Sequence, residues 1–358
     1  MKWTLSLWSL MLALSLLSAC KDAVEEVPLS TNLVAITDKF FDVEASSADK
    51  ALVVGYAGKI LLTTDGGQSW QAKDSGTDAA LYNIAFPDEQ NGWISGQDGT
   101  ILHSKDGGET WQKQDSQTGD PIFGLSFIDA NRGWAAADRA TYLKTTNGGE
   151  SWESGYIQAS TEGVGADATL ALVDPIFYDV QFLDANTGWI VGEFGKIYHT
   201  TDGGLNWVEQ QNSLLGQAGI TDALNLPTLF GVSFTDARHG VAVGLEGKIV
   251  TTTDGGQQWN FAGQGETDDA LFDTEPLYAP HLVRADGSGG GSGWIVGGAG
   301  RVLRLQDGAW TPTSIGMPIA TWLRAIDFYD ADHGWIVGGY GTILRTTDGG
   351  THWLRVFG

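Results

Sequence analysis

Cysteine is nearly absent from this sequence, since Cys20 is the one cysteine in 358 residues. A single thiol excludes an internal disulfide framework and any metal site built from several cysteines. Proline is scarce as well, with nine residues, whereas glycine is abundant, with 50. Because the glycines follow no collagen-like period, they indicate a globular fold with many tight turns.

Basic residues are also few, since 20 Lys and Arg face 44 Asp and Glu, which gives a formal net charge of −24. A nucleic-acid backbone or an anionic lipid surface would be repelled by such a charge. Nucleic acid is therefore not an expected partner. The sequence lacks G-x-S-x-G, H-E-x-x-H and phosphate-cradling motifs, and its six histidines are scattered. No catalytic residues, no metal site and no cofactor are expected.

A short apolar run, Leu5 to Leu17, follows the basic Lys2 and ends in Leu17-Ser18-Ala19-Cys20. The run is short for a membrane-spanning helix and is typical of a secretory signal. Its last four residues resemble a bacterial lipobox, which implies that residues 1–19 are removed and that the Cys20 thiol is lipidated. An ordinary secreted protein and an uncleaved anchor remain the alternatives.

The lipobox resemblance implies a lipid bilayer as partner and a periplasm-facing place in the cell envelope. Lys21 follows the cysteine, which by resemblance to enterobacterial sorting rules favours the outer over the inner membrane. Residues 21–32 are polar around a single proline. Residues 20–36, which include the lipidated cysteine, are therefore predicted to form a flexible tether.

One phrase recurs along the rest of the chain, an acid or amide, two glycines and a tryptophan five residues after the acid or amide. A seventh copy, Asp307-Gly308-Ala309-Trp310, is eroded. Such repetition at a regular period indicates units that bury their apolar faces against each other. The seven units end near Trp70, Trp111, Trp152, Trp207, Trp259, Trp310 and Trp353.

Each unit reads as four short strands separated by Gly or Asp-Gly turns. In Phe177 to Trp207, for example, FYDVQF, GWIVG and KIYHTT precede the repeated phrase. The third strand has two adjacent apolar residues in every copy, so both faces of each sheet should be covered. The sequence therefore predicts an all-β, seven-bladed β-propeller over residues 37–358, with four antiparallel strands per blade. The ring of blades could be closed by packing of the last blade on the first, or by pairing of residues Leu33 to Ile36 as an additional edge strand. The sequence does not distinguish these two modes of ring closure.

The repeated phrase resembles the Asp-box of bacterial neuraminidases, which implies that its acid holds a turn. Asn147 supports a structural role, because an amide can brace a turn but is a poor general acid or base. The predicted structural positions are Asp65, Asp106, Asn147, Asp202, Asp254, Asp307 and Asp348.

The full unit is similar to the photosystem II stability/assembly factor family of seven-bladed propellers, and to its relatives in non-photosynthetic bacteria. The clearest match is Gly334-Trp335-Ile336-Val337-Gly338 followed by GTILRTTDGG from Gly341 to Gly350. The resemblance covers roughly residues 40 to 358. It implies a non-catalytic monomer that binds a membrane or envelope protein complex and assists its assembly or stability, in part through arginines.

The arginines concentrate in the last two units, and exposed aromatic or charged residues are expected in the turns after the second strands. The candidate partner-binding residues are Arg284, Arg301, Arg304, Arg324, Arg345, Tyr56, Arg139, Phe194 and Tyr340. Arg304 and Arg345 share a third-strand position and suggest a basic track around one edge. Three long connections, 153–176, 208–228 and 260–276, are expected to form a wall beside the channel mouth.

A glycan-binding or sialidase-like glycoside hydrolase propeller is the alternative function. A sialidase would need an early Arg-Ile-Pro phrase and arginines spread over the blades, and this sequence has neither. Paired carboxylates for hydrolysis remain open, because 44 acids offer many pairs.

Overall fold

The computed structural model describes residues 33–158, 174–263, 273–283 and 292–356. Within these ranges, 28 strands form seven four-stranded antiparallel sheets, each built from four consecutive strands. The predicted all-β, seven-bladed propeller is therefore confirmed. The predicted signal peptide, Cys20 and Arg284 lie outside the described residues.

The strands of the first four blades are β1 to β16: Phe40–Ala45, Ala51–Gly55, Ile60–Thr63, Gln71–Lys73; Leu81–Ala85, Gly92–Gly96, Ile101–Ser104, Gln112–Gln114; Ile122–Phe127, Gly133–Ala137, Thr141–Thr145, Glu153–Tyr156; Phe177–Phe182, Gly188–Gly192, Ile197–Thr200, Val208–Glu209. Those of the last three are β17 to β28: Leu229–Phe234, Gly240–Gly244, Ile249–Thr252, Asn260–Phe261; Leu277–Val283, Ser292–Gly297, Val302–Gln306, Ala309–Pro312; Leu323–Phe328, Gly334–Gly338, Ile343–Thr346, Leu354–Arg355.

The core consists of apolar clusters at the seams between neighbouring blades. Successive side chains of a strand point to opposite faces of its sheet, so one strand serves two seams. Ile101 of β7 lies in the seam between blades 2 and 3, whereas the adjacent Leu102 lies in the seam between blades 1 and 2. This explains why the third strands carry paired apolar residues.

The propeller has two ends with different turns. At the loop end, the turns between second and third strands meet the connections between blades, and the Gly58 N–H donates to the Ala79 carbonyl (2.8 Å). At the Asp-box end, the repeated glycine turns meet the turns between first and second strands, and the Gly66 N–H donates to the Asp49 carbonyl (2.8 Å). The two ends are named by these turns below.

The ring closes by packing of blade 7 against blade 1. Each of these sheets is complete with its own four strands, and residues 33–36 belong to no strand. Leu33 and Val34 instead pack against the apolar cluster of this seam. Both residues belong to the compact unit that continues through the seven blades.

The long connection 208–228 does not form a wall at the channel mouth. Its 3₁₀ turns, Gln211–Leu214, Gln217–Gly219 and Ala223–Asn225, lie along the seam between blades 4 and 5. The Gln217 side chain accepts a hydrogen bond from the Phe261 N–H (3.3 Å) on the outer strand β20. Apolar burial of Leu214 and Leu226 anchors the connection on this seam. Most of the other two long connections lies outside the described residues.

Candidate binding site at the mouth of the central channel

The Asp-box turns are closed hydrogen-bonding units. In blade 4, Asp202 accepts hydrogen bonds from the Thr200 hydroxyl (2.9 Å), the Asn206 N–H (2.9 Å) and the Asn206 amide (2.7 Å). These bonds lower the pKa of Asp202 to about 2, because they stabilise the ionised carboxylate. A carboxylate held in this way is poorly suited to proton transfer at neutral pH.

Asp307 does not share this geometry. The pairing of Gln306 with Ala309 makes Asp307 and Gly308 a two-residue hairpin loop, and both have positive φ, 50° and 80°. Such values are typical of a type I′ turn. The seventh copy of the phrase is therefore a different turn.

The predicted basic track lies over tryptophan rings on the second strands. Arg304 lies 4.9 Å from the Trp294 ring centroid, and Arg345 lies 5.5 Å from that of Trp335. Arg345 also donates hydrogen bonds across the closing seam to the carbonyls of Gly66 (2.9 Å) and Ala48 (2.8 Å). Arg345 therefore connects blade 7 to blade 1, a role that its sequence position does not reveal.

Arg301 is buried, with 1% of its surface exposed. Its guanidinium donates to the carbonyls of Asp273 (3.0 Å) and Glu275 (2.8 Å), which fixes the chain that enters β21. An incoming partner cannot reach it in this structure. Arg324, by contrast, lines the central channel.

The four predicted turn residues lie at the loop end. Tyr56 and Tyr340 are exposed, on the neighbouring blades 1 and 7. Arg139 is exposed on blade 3 and pairs with Asp120 (3.3 Å), and Phe194 is half-buried on blade 4. Arg139, Phe194 and Tyr340 adopt left-handed φ of 53–56°. The turns hold these side chains in a backbone conformation that L-residues seldom adopt.

A β-bulge near the start of every inner strand shapes the channel. In all seven blades the register between first and second strands shifts by one residue directly after the first paired residue. A bulge inserts one extra residue and redirects its side chain. The extra residues all line the channel, and we call them the collar: Phe41, Tyr82, Phe123, Tyr178, Phe230, Tyr278 and Arg324.

Six aromatic rings of the collar contact each other in sequence. Neighbouring ring centroids lie 5.7, 5.2, 5.3, 5.1 and 5.6 Å apart from Phe41 round to Tyr278. These separations are typical of favourable aromatic pairs. Arg324 takes the seventh place, with its guanidinium 5.4 Å from the Tyr278 ring. Because bulges occur where the inner strands begin, the collar lies towards the loop end.

Carboxylates lie next to the collar, deeper in the channel. Asp42 accepts hydrogen bonds from the N–H groups of Val43 (2.9 Å) and Ile84 (2.9 Å), and thus joins blades 1 and 2. Asp179 joins blades 4 and 5 by accepting from Val180 (2.8 Å) and Val232 (2.9 Å). Burial raises the pKa of Asp42 to about 7 and that of Asp179 to about 6.

A further polar layer follows, where burial together with Asp327 and Asp42 raises the pKa of Glu44 well above its usual range. His281 lies 3.3 Å from Asp327, and burial lowers its pKa. Among the residues that the structure describes, no three His, Cys, Asp or Glu side chains form a group that could hold a metal ion. Asp327 of blade 7 accepts a hydrogen bond from the Ala45 N–H of blade 1 (2.8 Å) and so joins these two blades.

Sequence reasoning missed the collar as a set, although its signal is present. Each unit begins with a buried apolar residue, and the next residue is aromatic in six units and arginine in the seventh. In a regular strand, the side chain of that residue would simply follow the alternation between the two faces of the sheet. The bulge directs it into the channel instead, and the sequence pattern alone does not predict the bulge.

Comparison with known proteins gives matches that agree with this architecture. A family model described as photosynthesis system II assembly factor YCF48 matches residues 22–121 and 304–356. The photosystem II assembly lipoprotein Ycf48 of Synechococcus sp. (strain CC9902) is 29% identical over 131 residues, 36% of this chain and 34% of the relative. The match thus spans about a third of that curated relative.

A solved structure of YCF48 bound to D1 peptide has a TM-score of 0.56 and 20% identity, and the match covers 77% of this chain and 80% of that one. The resemblance to the photosystem II assembly factor-like propellers is confirmed. An ancestral GH74 enzyme has a TM-score of 0.67 at 15% identity, with 91% of this chain and 46% of the enzyme covered. Identities this low in solved structures show the fold alone.

Within the described ranges, no helix combines the length and apolar character needed to cross a bilayer.

Proposed function

We propose that this photosystem II assembly factor-like propeller is a non-catalytic scaffold that holds a segment of a membrane-complex subunit and assists the assembly or stability of the complex. The match to the assembly-factor family carries the proposal, and the solved relative with a D1 peptide supports binding of a subunit segment. The GH74 likeness concerns the fold and does not favour the hydrolase alternative.

We place the docking surface at the loop end. Tyr56 and Tyr340 are 59% and 58% exposed there, on the two blades that close the ring. Lys39 lies 5.5 Å from the Tyr56 ring. Exposed aromatic rings beside charged groups are typical of surfaces that bind other proteins. The Asp-box end, by comparison, uses its polar groups within its own turns.

We further propose that Cys20 carries an acyl anchor that keeps the propeller at an envelope membrane. The Synechococcus relative is named a lipoprotein, which supports this part of the proposal. Replacement of Cys20 by Ala should move the protein from the membrane fraction to the soluble fraction. Retention of the Cys20→Ala variant in washed membranes would argue for an uncleaved anchor instead.

Site-specific photo-cross-linking in native membranes tests the docking surface. A benzophenone amino acid at Tyr340 should capture a defined membrane-complex subunit, identified by mass spectrometry. The matched control is the same probe at Leu205, which is 75% exposed in an Asp-box turn at the opposite end. Equal capture from both positions, or no membrane subunit from Tyr340, would contradict docking at the loop end.

A further inference from the structure

The collar cavity contains one cation whose hydrogen-bonding capacity is not used. Arg324 lies among the collar rings, over Tyr278. Among the described residues, its guanidinium donates no hydrogen bond to a protein group. Arginine has five N–H donors, no acceptor, and stays charged. The N–H donors of Arg324 are therefore available to a ligand, and a ligand that binds them must supply a hydrogen-bond acceptor.

The neighbouring acids already use part of their acceptor capacity for hydrogen bonds within the protein. Asp42 and Asp179 each accept two backbone N–H bonds, and the Asn83 amide donates a third bond to Asp42 (2.7 Å). Both acids act on Arg324 electrostatically from opposite sides of the channel, on β1 and β13. A bidentate acceptor with negative charge is the best match to a free guanidinium, and a carboxylate has this geometry.

The size of the cavity fits a carboxylate on an apolar stem. The collar encloses about 140 Å³, and a space of about 150 Å³ accommodates a benzene ring. Its lining combines the six aromatic residues and Arg324 of the collar with the polar groups of Asp42, Asn83 and Asp179. A polar chamber of about 340 Å³ continues below, between Asp42, Asp179 and Asp327.

We propose that the collar is a binding site for a carboxylate group with an aromatic or aliphatic stem, anchored by Arg324 and enclosed by the six rings. The carboxylate could belong to a small organic acid or to the end of a polypeptide chain. This site goes beyond the scaffold function and does not depend on which protein docks at the loop end.

The charged groups around Arg324 give the site a distinctive pH dependence. Asp42, Asp179, Tyr178 and Tyr278 face its guanidinium, and Glu44, Asp327 and His281 form the next layer. The raised pKa values of Asp42 and Asp179 mean that these acids become protonated as the pH falls from 8 to 5.5. A bound carboxylate then meets less repulsion, so its affinity should rise. A cationic ligand held by the same acids would show the opposite trend.

Calorimetric titration of the protein tests the site with three related probes: 3-phenylpropionate, its neutral amide and 3-phenylpropylamine. The carboxylate should bind at least about tenfold more tightly at pH 5.5 than at pH 8, and more tightly than the amide or the amine. Arg324→Gln should weaken binding of the carboxylate at least about tenfold, as expected when a charged hydrogen-bond donor is lost. The control variant Arg132→Gln removes an exposed arginine in a turn at the Asp-box end and should leave the affinity unchanged.

A second variant, Tyr278→Leu, keeps Arg324 and removes one collar ring, and should also weaken binding. N-acetylated tetrapeptides with an apolar last residue, with a free or an amidated carboxyl end, separate the two sources of the carboxylate. If the free-acid peptide binds more tightly than 3-phenylpropionate, the natural ligand is the end of a polypeptide chain. If 3-phenylpropionate binds more tightly, the natural ligand is a small organic acid. The proposal is overturned if the amine binds best, or if folded Arg324→Gln, with an unchanged melting temperature, binds the carboxylate as the parent does.

Discussion

The two ends of the propeller use the same repeat in different ways. At the Asp-box end, six turns repeat nearly the same hydrogen bonds, and a Thr or Ser hydroxyl accepts the buried glycine N–H in each of them. At the loop end and the collar, equivalent positions carry different side chains, from Asp98 to Phe194 and from Phe41 to Arg324. Repetition therefore marks the parts that hold the ring together, and variation marks the surface available for recognition.

The largest effect should come from a glycine at the Asp-box end. Gly350 and Gly316 both have positive φ, 76° and 78°. A Cβ on Gly350 would lie 2.3 Å from the Trp294 ring, whereas one on Gly316, in a connection at the loop end, would have no atom within 4 Å. We expect Gly350→Ala to lower the free energy of unfolding by about 2–5 kcal/mol.

The control, Gly316→Ala, should cost about 1 kcal/mol, from the strained backbone alone. Urea unfolding of both variants measures the difference. Equal losses in the free energy of unfolding would mean that Trp294 does not restrict the space beside Gly350. The Asp-box end would then be no less tolerant of substitution than the loop end at this position.

The closing seam should show the next largest effect. Arg345→Met removes the hydrogen bonds to Gly66 and Ala48 while it keeps an apolar stem over Trp335. We expect a loss of about 2 kcal/mol in the free energy of unfolding, because charged hydrogen bonds are lost. Arg304→Met, which removes the stacked guanidinium from Trp294, should cost less than about 1 kcal/mol. A reversed order would assign Arg304, and not Arg345, the structural role.

The Asp-box hydroxyl offers a smaller and cleaner test. Thr200→Val removes the acceptor of the buried Gly204 N–H (2.9 Å) and should cost about 1–2 kcal/mol. Thr200→Ser keeps the hydroxyl, as Ser104 does in the equivalent position of blade 2, and should restore most of the loss. Thermal unfolding compares them. If Ser were as destabilising as Val, the Thr methyl group would matter more than the hydrogen bond.

A pH dependence with opposite signs at the two ends tests the same contrast without a substitution. The pKa of Asp42 and Asp179 is raised on folding, so the stability they contribute is complete below pH 3.8 and is lost as the pH rises towards 7. The pKa of Asp202 is lowered to about 2 in the folded protein, so the stability that its carboxylate contributes is lost as the pH falls from 3.8 towards 2. Between pH 5 and 7 we expect stability to fall, by at most about 1.4 kcal/mol per pH unit for each acid.

Asp42→Asn should flatten this decline, and urea midpoints at pH 5, 6 and 7 measure it. Stability that rises across the same range in the parent protein would contradict the raised pKa values.

The sequence predicted the blades well because every unit repeats the same strand pattern and the same turn. It predicted less at positions where the ring brings distant residues together. Arg345 looked like part of a surface track, yet its partners Ala48 and Gly66 come from the first blade. Arg301 looked available, yet the chain before β21 covers it. Such contacts depend on closure of the ring, which a local pattern does not encode.

The connection 208–228 shows the same limit. Its turn Ala223–Asn225 follows from a local pattern, because Asp222 precedes the turn and accepts the Leu224 N–H (3.0 Å) as a capping residue does. Its position on the seam instead depends on burial of Leu214 and Leu226 against a neighbouring blade. The local turn was therefore predictable, and its place in the fold was not.

The bulges also separate the chemistry of the channel from the folding of the sheets. Each bulge residue stands outside the pairing register of its strand, so exchanging its side chain need not disturb the alternation that builds the blade. Each of the seven collar side chains can therefore be exchanged individually without a change of fold. This chain has six aromatic residues and one arginine at these positions, and a propeller with the same blades could carry a different set and bind a different ligand.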